Sequence, residues 1–318
     1  MPIVPNTVKK ETTPPKKNTI EFDLSQPIYS LSDLILPTHT LNELKRAISL
    51  REHQSAVFEE WGFKHTHKYD NKMIINLYGE PGTGKTMAAH AIAKHLNRPL
   101  VLVNYGDIES KYVGETPKNI QAAFEFSKEN NAILFFDEAD AILSRRVTNM
   151  TSATDTSVNQ TRSVMLTLLN DYNDTVLFAT NFISNYDPAF MRRILMHIEF
   201  DLPDEATRLR LFEKYIPKQL PHSIDLAEAA ANSATLSGSD IANSILLAAF
   251  AAKNEDAHEV THQNLMEKIE NIRKGKEANA GKNFDVSTKN IIKTETREVS
   301  EDFVNQQFNK EKLSWFHI

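Results

Sequence analysis

The stretch Gly79-Glu80-Pro81-Gly82-Thr83-Gly84-Lys85-Thr86 decides the fold. It is a complete G-x-x-x-x-G-K-[ST] phosphate loop: glycines let successive main-chain N–H groups curl round phosphates, Lys85 reaches the β and γ oxygens, and the Thr86 hydroxyl ligates Mg2+. The motif carries weight only between a strand and a helix. An apolar run at 73–78 precedes it and a helix-forming run at 87–96, opening on Met87, follows it. Further on, the apolar run 132–136 ends in the acidic pair Asp137-Glu138. Asp137 suits a Mg2+ ligand, direct or through water, and Glu138 is placed to polarise a water attacking a γ-phosphate. The two motifs together predict a nucleotide-hydrolysing unit that uses Mg2+.

Strand and helix patterns alternate outward from that loop: strands at 73–78, 100–104, 132–137 and 175–180 with a last short one near 197–200, and helices at 87–96, 117–128 and 158–169. This alternation predicts an α/β architecture, a parallel sheet covered by helices on both faces. A helix is expected over 41–61, where Leu41, Leu44, Ile48, Val57 and Phe58 approximate an apolar stripe. After Leu202-Pro203 the strands stop, and helices at 205–215, 226–232, 240–253 and 263–273 predict a small all-helical domain. The Ser/Thr/Asn-rich run 149–160 reads as a loop. The expected division is a flexible arm at 1–30, a large α/β domain at 31–202, a helical lid at 203–275 and a tail at 276–318.

Composition narrows the class. The chain has 318 residues, long enough for two domains and a tail. With no cysteine it has no disulfide, cysteine nucleophile or thiolate metal site, which fits a reducing cytoplasm. Lys and Arg number 36 against 42 Asp and Glu, a net charge of −6, which argues against a broad grip on nucleic acid. No window approaches 18 uninterrupted apolar residues, and the first 17 carry prolines and lysines in place of a signal-peptide core, so a protein neither exported nor membrane-bound is expected.

From residue 31 to 273 the chain resembles the classical clade of AAA+ ATPases, P-loop NTPases with a helical lid. The segment Val176-Leu177-Phe178-Ala179-Thr180-Asn181 looks like that family's sensor-1 strand, and the resemblance implies that Asn181 orients the attacking water. An amide suits the task because it both donates and accepts. Asp187-Pro188-Ala189-Phe190-Met191-Arg192-Arg193 resembles the arginine-finger segment, whose guanidinium groups reach the γ-phosphate held by a neighbouring subunit. The position three residues beyond, used by some relatives for a second finger, holds Met196, so the adjacent pair Arg192 and Arg193 is expected to serve. A finger supplied to a neighbour implies a ring, here a homo-hexamer.

The resemblance also implies nucleotide contacts from Glu80, Pro81, Gly82, Thr83, Gly84, Lys85, Thr86 and Met87. Leu236-Ser237-Gly238-Ser239-Asp240 looks like the turn that opens the lid helix over the adenine, which brings in Gly238 and Ser239. Ser32-Asp33-Leu34-Ile35-Leu36 resembles the stretch that meets adenine from the other side through Ile35, although the glycine usual there is missing. Lys111-Tyr112-Val113-Gly114-Glu115 falls where such rings project a lysine-aromatic-aliphatic-glycine loop into a central pore. An aromatic ring intercalated among the side chains of an extended polypeptide grips almost any sequence, so Lys111, Tyr112 and Val113 imply a protein client.

Two other classes stand as alternatives. A nucleic-acid-associated loader or initiator is the first; such proteins differ at the 111–115 loop and tend to carry nucleic-acid-binding additions. His258-Glu259-Val260-Thr261-His262 is a literal H-E-x-x-H zincin pattern, but Thr261 reads as the N-cap of the following helix, so the five residues are expected to straddle a helix start. No client-selecting domain is expected before residue 31, which leaves client choice to the pore, the arm or an adaptor. A compact chain of this size is similar to the bacterial pachytene-checkpoint-type ATPases, and that similarity implies a HORMA-domain client in antiphage signalling.

Overall fold

The computed structural model describes residues 22–67, 72–108, 115–144, 153–181 and 186–280. The pore-loop residues Lys111, Tyr112 and Val113, most of the N-terminal arm and all but the start of the C-terminal tail lie outside the described residues. The described chain as far as Lys274 forms one compact unit, and the residues from Gly275 onward belong to another.

A short strand β1 (Leu24–Ser25) and helix α1 (Thr38–Glu52) lead into the alternating part. There follow β2 (Met73–Gly79), α2 (Lys85–His95), β3 (Leu100–Asn104), α3 (Tyr105–Ile108), α4 (Glu115–Glu129), β4 (Ile133–Asp137), α5 (Asp140–Leu143), α6 (Ala153–Asp171), β5 (Thr175–Thr180), α7 (Pro188–Met191) and β6 (Met196–Phe200). The remainder is α8 (Glu205–Tyr215), β7 (His222–Ser223), α9 (Leu226–Ala231), α10 (Gly238–Asn254), β8 (Val260–Thr261) and α11 (His262–Ala280).

The main sheet runs in the order β1-β3-β4-β5-β2-β6. Five strands are parallel, and β1 pairs antiparallel with β3 through Leu24 opposite Val101 and Ser25 opposite Leu100. Alternating residues of each strand enter two separate cores. Ile74, Val101, Leu134, Phe136, Val176 and Phe178 pack on one face with α4 and α6, while Ile75, Leu77, Phe135, Leu177 and Ile198 pack on the other with α1 and α2. A sheet buried on both faces needs near-continuous apolar strands, which is what these segments are. The helical part has its own core around Phe212, Leu236, Ile241, Ala248 and Leu265, and Ile35 packs against it.

A clamp ties the N-terminal ends of three parallel strands. Arg98, just before β3, donates to both carboxylate oxygens of Asp174 at 2.6 and 2.7 Å, to the Asn131 carbonyl at 2.9 Å and to the Ala132 carbonyl at 3.0 Å. Those partners immediately precede β4 and β5, so one buried guanidinium fixes the stagger of the strands at the end opposite the phosphate loop.

Four departures from the sequence reading have local causes. The helix expected over 41–61 stops at Glu52 and gives way to a π-helical turn at Ala56–Glu60, because no side chain from 53 to 61 is buried to hold a continuous helix. The run read as a loop at 149–160 is helical from Ala153, as an N-terminal extension of a helix whose Thr161, Met165 and Leu169 are buried at a spacing of four. The helical domain is not wholly helical, since β7 and β8 pair in parallel over two residues each. Within the stretch read as a flexible arm, β1 is paired into the sheet.

Candidate functional site

The C-terminal ends of β2, β4 and β5 place the loop, the acidic pair and Asn181 side by side, Tyr78 standing opposite Thr180 and Phe136 opposite Phe178. At the N-terminus of the 11-residue helix α2, Gly84 adopts φ +103° and Gly82 φ +76°, left-handed values that a side-chain-bearing residue rarely takes. This aims main-chain N–H groups and the positive end of the helix dipole into a cleft of about 360 Å3.

Lys85 is nearly buried beneath that cradle. Its Nζ donates to the Gly79 carbonyl at 2.7 Å, the Glu80 carbonyl at 3.0 Å and Asn181 Oδ1 at 3.0 Å. Burial pulls its pKa below the ordinary lysine value, while the carboxylates of Asp137, Asp140 and Glu80 oppose that drop. Glu80 contributes through its main chain, its carbonyl also accepting the Thr83 hydroxyl at 2.8 Å. Thr86 Oγ1 donates to Asp137 Oδ2 at 2.8 Å. A hydroxyl beside a carboxylate is the hard-oxygen pair that Mg2+ takes. The donor set therefore fits ATP and Mg2+: N–H groups and an ammonium for phosphate oxygens, with Thr86 and Asp137 for the metal.

Glu138 follows β4 in a left-handed conformation of φ +50°, uncommon for a residue with a side chain. Two main-chain contacts hold the turn: the Glu138 N–H donates to Asp137 Oδ1 at 3.0 Å, and the Ala139 N–H donates to the Ala179 carbonyl at 2.9 Å. The carboxylate is thereby left exposed along the cleft wall, opposite the loop. Asn181 is fixed from both ends. Its side-chain oxygen accepts from Lys85, and its N–H donates to the Asp140 carboxylate at 3.1 Å.

The lid closes the cleft directly over the loop. Ser237 caps α10 by accepting from the Asp240 N–H at 3.3 Å, and Asp240 returns the bond by accepting from the Ser237 N–H at 2.9 Å. Gly238 and Ser239 line the cleft, as does Ile35. The wall also contains Leu211, Lys214 and Tyr215 of α8, which the sequence reading missed. Their i, i+3, i+4 spacing is visible in the sequence as one face of a helix, but nothing in it marks that face as turned toward a nucleotide. Lys214 Nζ donates to the Asp33 carbonyl and so ties α8 to the segment containing Ile35.

The expected arginine pair separates. Arg193 is half-buried and braced within its own chain, with Nε donating to Asn170 Oδ1 at 2.7 Å and Nη1 to the Ala189 carbonyl at 2.7 Å. Arg192 is exposed, and its side chain has no hydrogen-bond or ion-pair partner among the described residues. Neither arginine lines the cleft of its own chain.

The H-E-x-x-H pattern does not form one helical face. His258 and Glu259 lie in a bend, Val260 and Thr261 form β8, and His262 opens α11. Glu259 accepts from the Ser223 hydroxyl at 2.9 Å, His262 faces Glu228 at 3.4 Å, and Thr261 caps α11 by accepting from the Asn264 N–H at 3.2 Å. Among the described residues no group of three or more His, Asp or Glu side chains is placed to hold a metal ion. No helix among them is long and apolar enough to cross a membrane.

Comparison with known proteins agrees with this geometry. The chain is 31% identical over 243 residues to the 26S proteasome subunit RPT4 of Saccharomyces cerevisiae, covering 74% of this chain and 54% of the relative. It is 32% identical over 262 residues to a 26S proteasome regulatory subunit 4 homolog of Dictyostelium discoideum, covering 80% of this chain and 58% of the relative. The chain thus spans little more than half the length of the relatives it matches. Residues 75–202 match the family described as "ATPase family associated with various cellular activities (AAA)", an interval that holds the phosphate loop, the acidic pair, Asn181 and both arginines.

Proposed function

We propose that the chain is a protein-remodelling ATPase that assembles into a homo-hexamer and pulls a client polypeptide through its centre. The observation that carries this reading is Arg192: an exposed guanidinium outside its own cleft, without a polar partner among the described residues and one residue past a four-residue helix, is suited to completing a cleft in an adjacent copy. The resemblance of Lys111-Tyr112-Val113 to a pore loop and the similarity to proteasome regulatory subunits support a polypeptide as the client. A HORMA-domain protein is the proposed client, on the likeness in architecture to the bacterial remodellers of such proteins.

In each subunit Lys85 and the loop N–H groups hold the phosphates, and Thr86 with Asp137 holds Mg2+, which neutralises the charge on the phosphate oxygens. Glu138 takes the proton of a water that Asn181 aligns, and Arg192 of the next subunit stabilises the charge on the departing phosphoryl group. Ser239 and Gly238 sense the loop from the lid, so a change in nucleotide changes the lid angle and moves Tyr112 along the pore.

The test is capture from the native host with the Glu138→Gln variant under ATP, in parallel with Glu138→Gln combined with Tyr112→Ala. A protein held by the single variant and lost from the double one establishes a client gripped in the pore. Equal recovery from both, or recovery of DNA alone, rejects polypeptide translocation.

A further inference from the structure

Asn76 stands in the middle of β2, fully buried between the apolar Ile75 and Leu77. Its Nδ2 has no partner among the described residues. A buried polar group left short of a partner is destabilising, so an amide here is a burden on stability and calls for another explanation. Asn76 Oδ1 accepts from the Thr180 hydroxyl at 3.3 Å, and Thr180 Oγ1 accepts from the Tyr186 hydroxyl. The Tyr186 hydroxyl also lies 3.5 Å from Asn76 Oδ1. Asn76 and Tyr186 line no part of the nucleotide cleft.

The three side chains join places that matter for turnover. Asn76 is on the strand that feeds the phosphate loop, Thr180 immediately precedes Asn181, and Tyr186 immediately precedes Asp187. The Asp187 carboxylate caps α7 by accepting from the Ala189 N–H at 2.8 Å, and α7 ends at Arg192. The two ends of this span also meet through α5. Asp140, at its start, accepts from the Asn181 N–H, while Leu143, at its end, accepts from the Asp187 N–H at 2.9 Å, and Ser144 bridges Tyr186. The circuit Thr180, Asn181, Asp140, Leu143, Asp187, Tyr186 and back to Thr180 is closed, and the Tyr186 hydroxyl is the bond that closes it.

We propose that Tyr186, acting through Thr180 and Asn76, is a positioning residue. It ties Tyr186 to Thr180 so that Asn181 is held against Lys85 and, through the same bond, the cap of the arginine-bearing turn is held in register with it. The γ-phosphate side of one subunit's site is thereby linked to the Arg192 that the subunit offers its neighbour. This rests on the proposed roles of Asn181 and Arg192 and adds a link between them.

The test uses steady-state ATPase kinetics and thermal midpoints of the full chain, with Tyr186→Phe, Asn76→Leu and their combination. Tyr186→Phe keeps the ring and its core volume and removes only the hydroxyl. The expected result is a roughly tenfold fall in kcat with the KM for ATP within about twofold of the parent, and a double variant no slower than the worse single one, as for residues acting through one network. Thr180→Val, which deletes the central hydroxyl, should reproduce the kcat loss and covers the case in which Asn76→Leu does not fold. A lowered thermal midpoint with unchanged kcat would show the network to be structural only, and a raised KM with unchanged kcat would place the damage in the pocket; either overturns the proposal. Asn181→Ala and Arg192→Ala run alongside separate the two levels. If they abolish turnover while Tyr186→Phe is silent, only the coupling is wrong, and if they leave kcat intact, the underlying reading fails and the coupling fails with it.

Discussion

The backbone N–H of Ser239 donates to the carbonyl of Gly82 at 3.2 Å, and its hydroxyl approaches the same oxygen at 3.4 Å. The first turn of a lid helix is thus hydrogen-bonded to the middle of the phosphate loop, 157 positions earlier in the chain. A Cβ on Gly82 would lie 2.7 Å from Ser237 Oγ and 2.9 Å from the Ser239 side chain, and the backbone there is left-handed as well. Gly82→Ala therefore has to push the lid away while taking up a strain of about 1–2 kcal/mol. Weakening of ATP binding by about tenfold is expected from titration with a fluorescent ATP analogue, and unaltered affinity would show that the lid contact plays no part in holding nucleotide.

Lys85 and Glu138 should fail in different ways. Lys85→Ala removes the cation shared by Gly79, Glu80 and Asn181 and should abolish detectable nucleotide binding. Glu138→Gln keeps the cleft and should retain binding while turnover drops by about 10²–10⁴-fold, the range for loss of a general base. Equilibrium binding and phosphate release measured on the same two variants decide this; loss of binding in both would remove the distinction between the two roles.

For the arginines the expectation is a clean separation. Arg192→Ala should cut kcat by about 10³-fold or more with the thermal midpoint little moved, since the side chain is exposed and makes no hydrogen bond or ion pair among the described residues. Arg193→Ala should lower the thermal midpoint, because Asn170 and the Ala189 carbonyl lose their donor. The prediction fails if Arg192→Ala is as active as the parent in assembled material.

At the other end of the sheet, Arg98→Ala leaves the Asp174 carboxylate without its bidentate partner. Breaking a fully buried pair from one side costs about 3–5 kcal/mol, and a smaller loss is expected here because Asp174 is partly exposed and keeps Arg51 at 3.9 Å; a denaturant midpoint at unchanged slope would report it. The KM for ATP should stay within error, because the clamp lies at the strand ends remote from the phosphate loop.

Stability should decline in mild acid. Burial holds the imidazoles of His90 and His197 below the ordinary value of 6.5, in His197 against an opposing hydrogen bond with Met191. A histidine depressed in the folded state leaves stability whole above 6.5. Below that value the unfolded chain takes up protons that the folded chain refuses, and stability is lost until the folded values are passed. Thermal midpoints should fall between pH 7.5 and 5.5, and His90→Gln should flatten part of that slope; parallel profiles for parent and variant would exclude His90.

What the sequence announces and what it hides follow from how locally each feature is written. The phosphate loop is contiguous and its chemistry demands particular residues, and β3, β5 and α8 end where their apolar patterns end. Side chains that meet only in three dimensions left no such trace. Leu211, Lys214 and Tyr215 read as an ordinary amphipathic face until α8 is packed beside Asp33 and the cleft. The choice between Arg192 and Arg193 depends on Asn170, 23 residues upstream of the second arginine, and no periodicity reaches that far. Strands of two residues, such as β1, β7 and β8, are shorter than the period that would reveal them.

The two-residue strand β1 has a consequence for behaviour in concentrated solution. Without it, β3 would present Leu100 and Val101 along a bare rim of unpaired amides and carbonyls, the arrangement that recruits strands from other molecules. At the opposite rim α1 shields β6, with the Thr40 hydroxyl donating to the Glu199 carbonyl at 3.0 Å. Each border of the sheet is therefore covered over part of its length, which narrows the rim on which strands of separate copies could pair edge to edge.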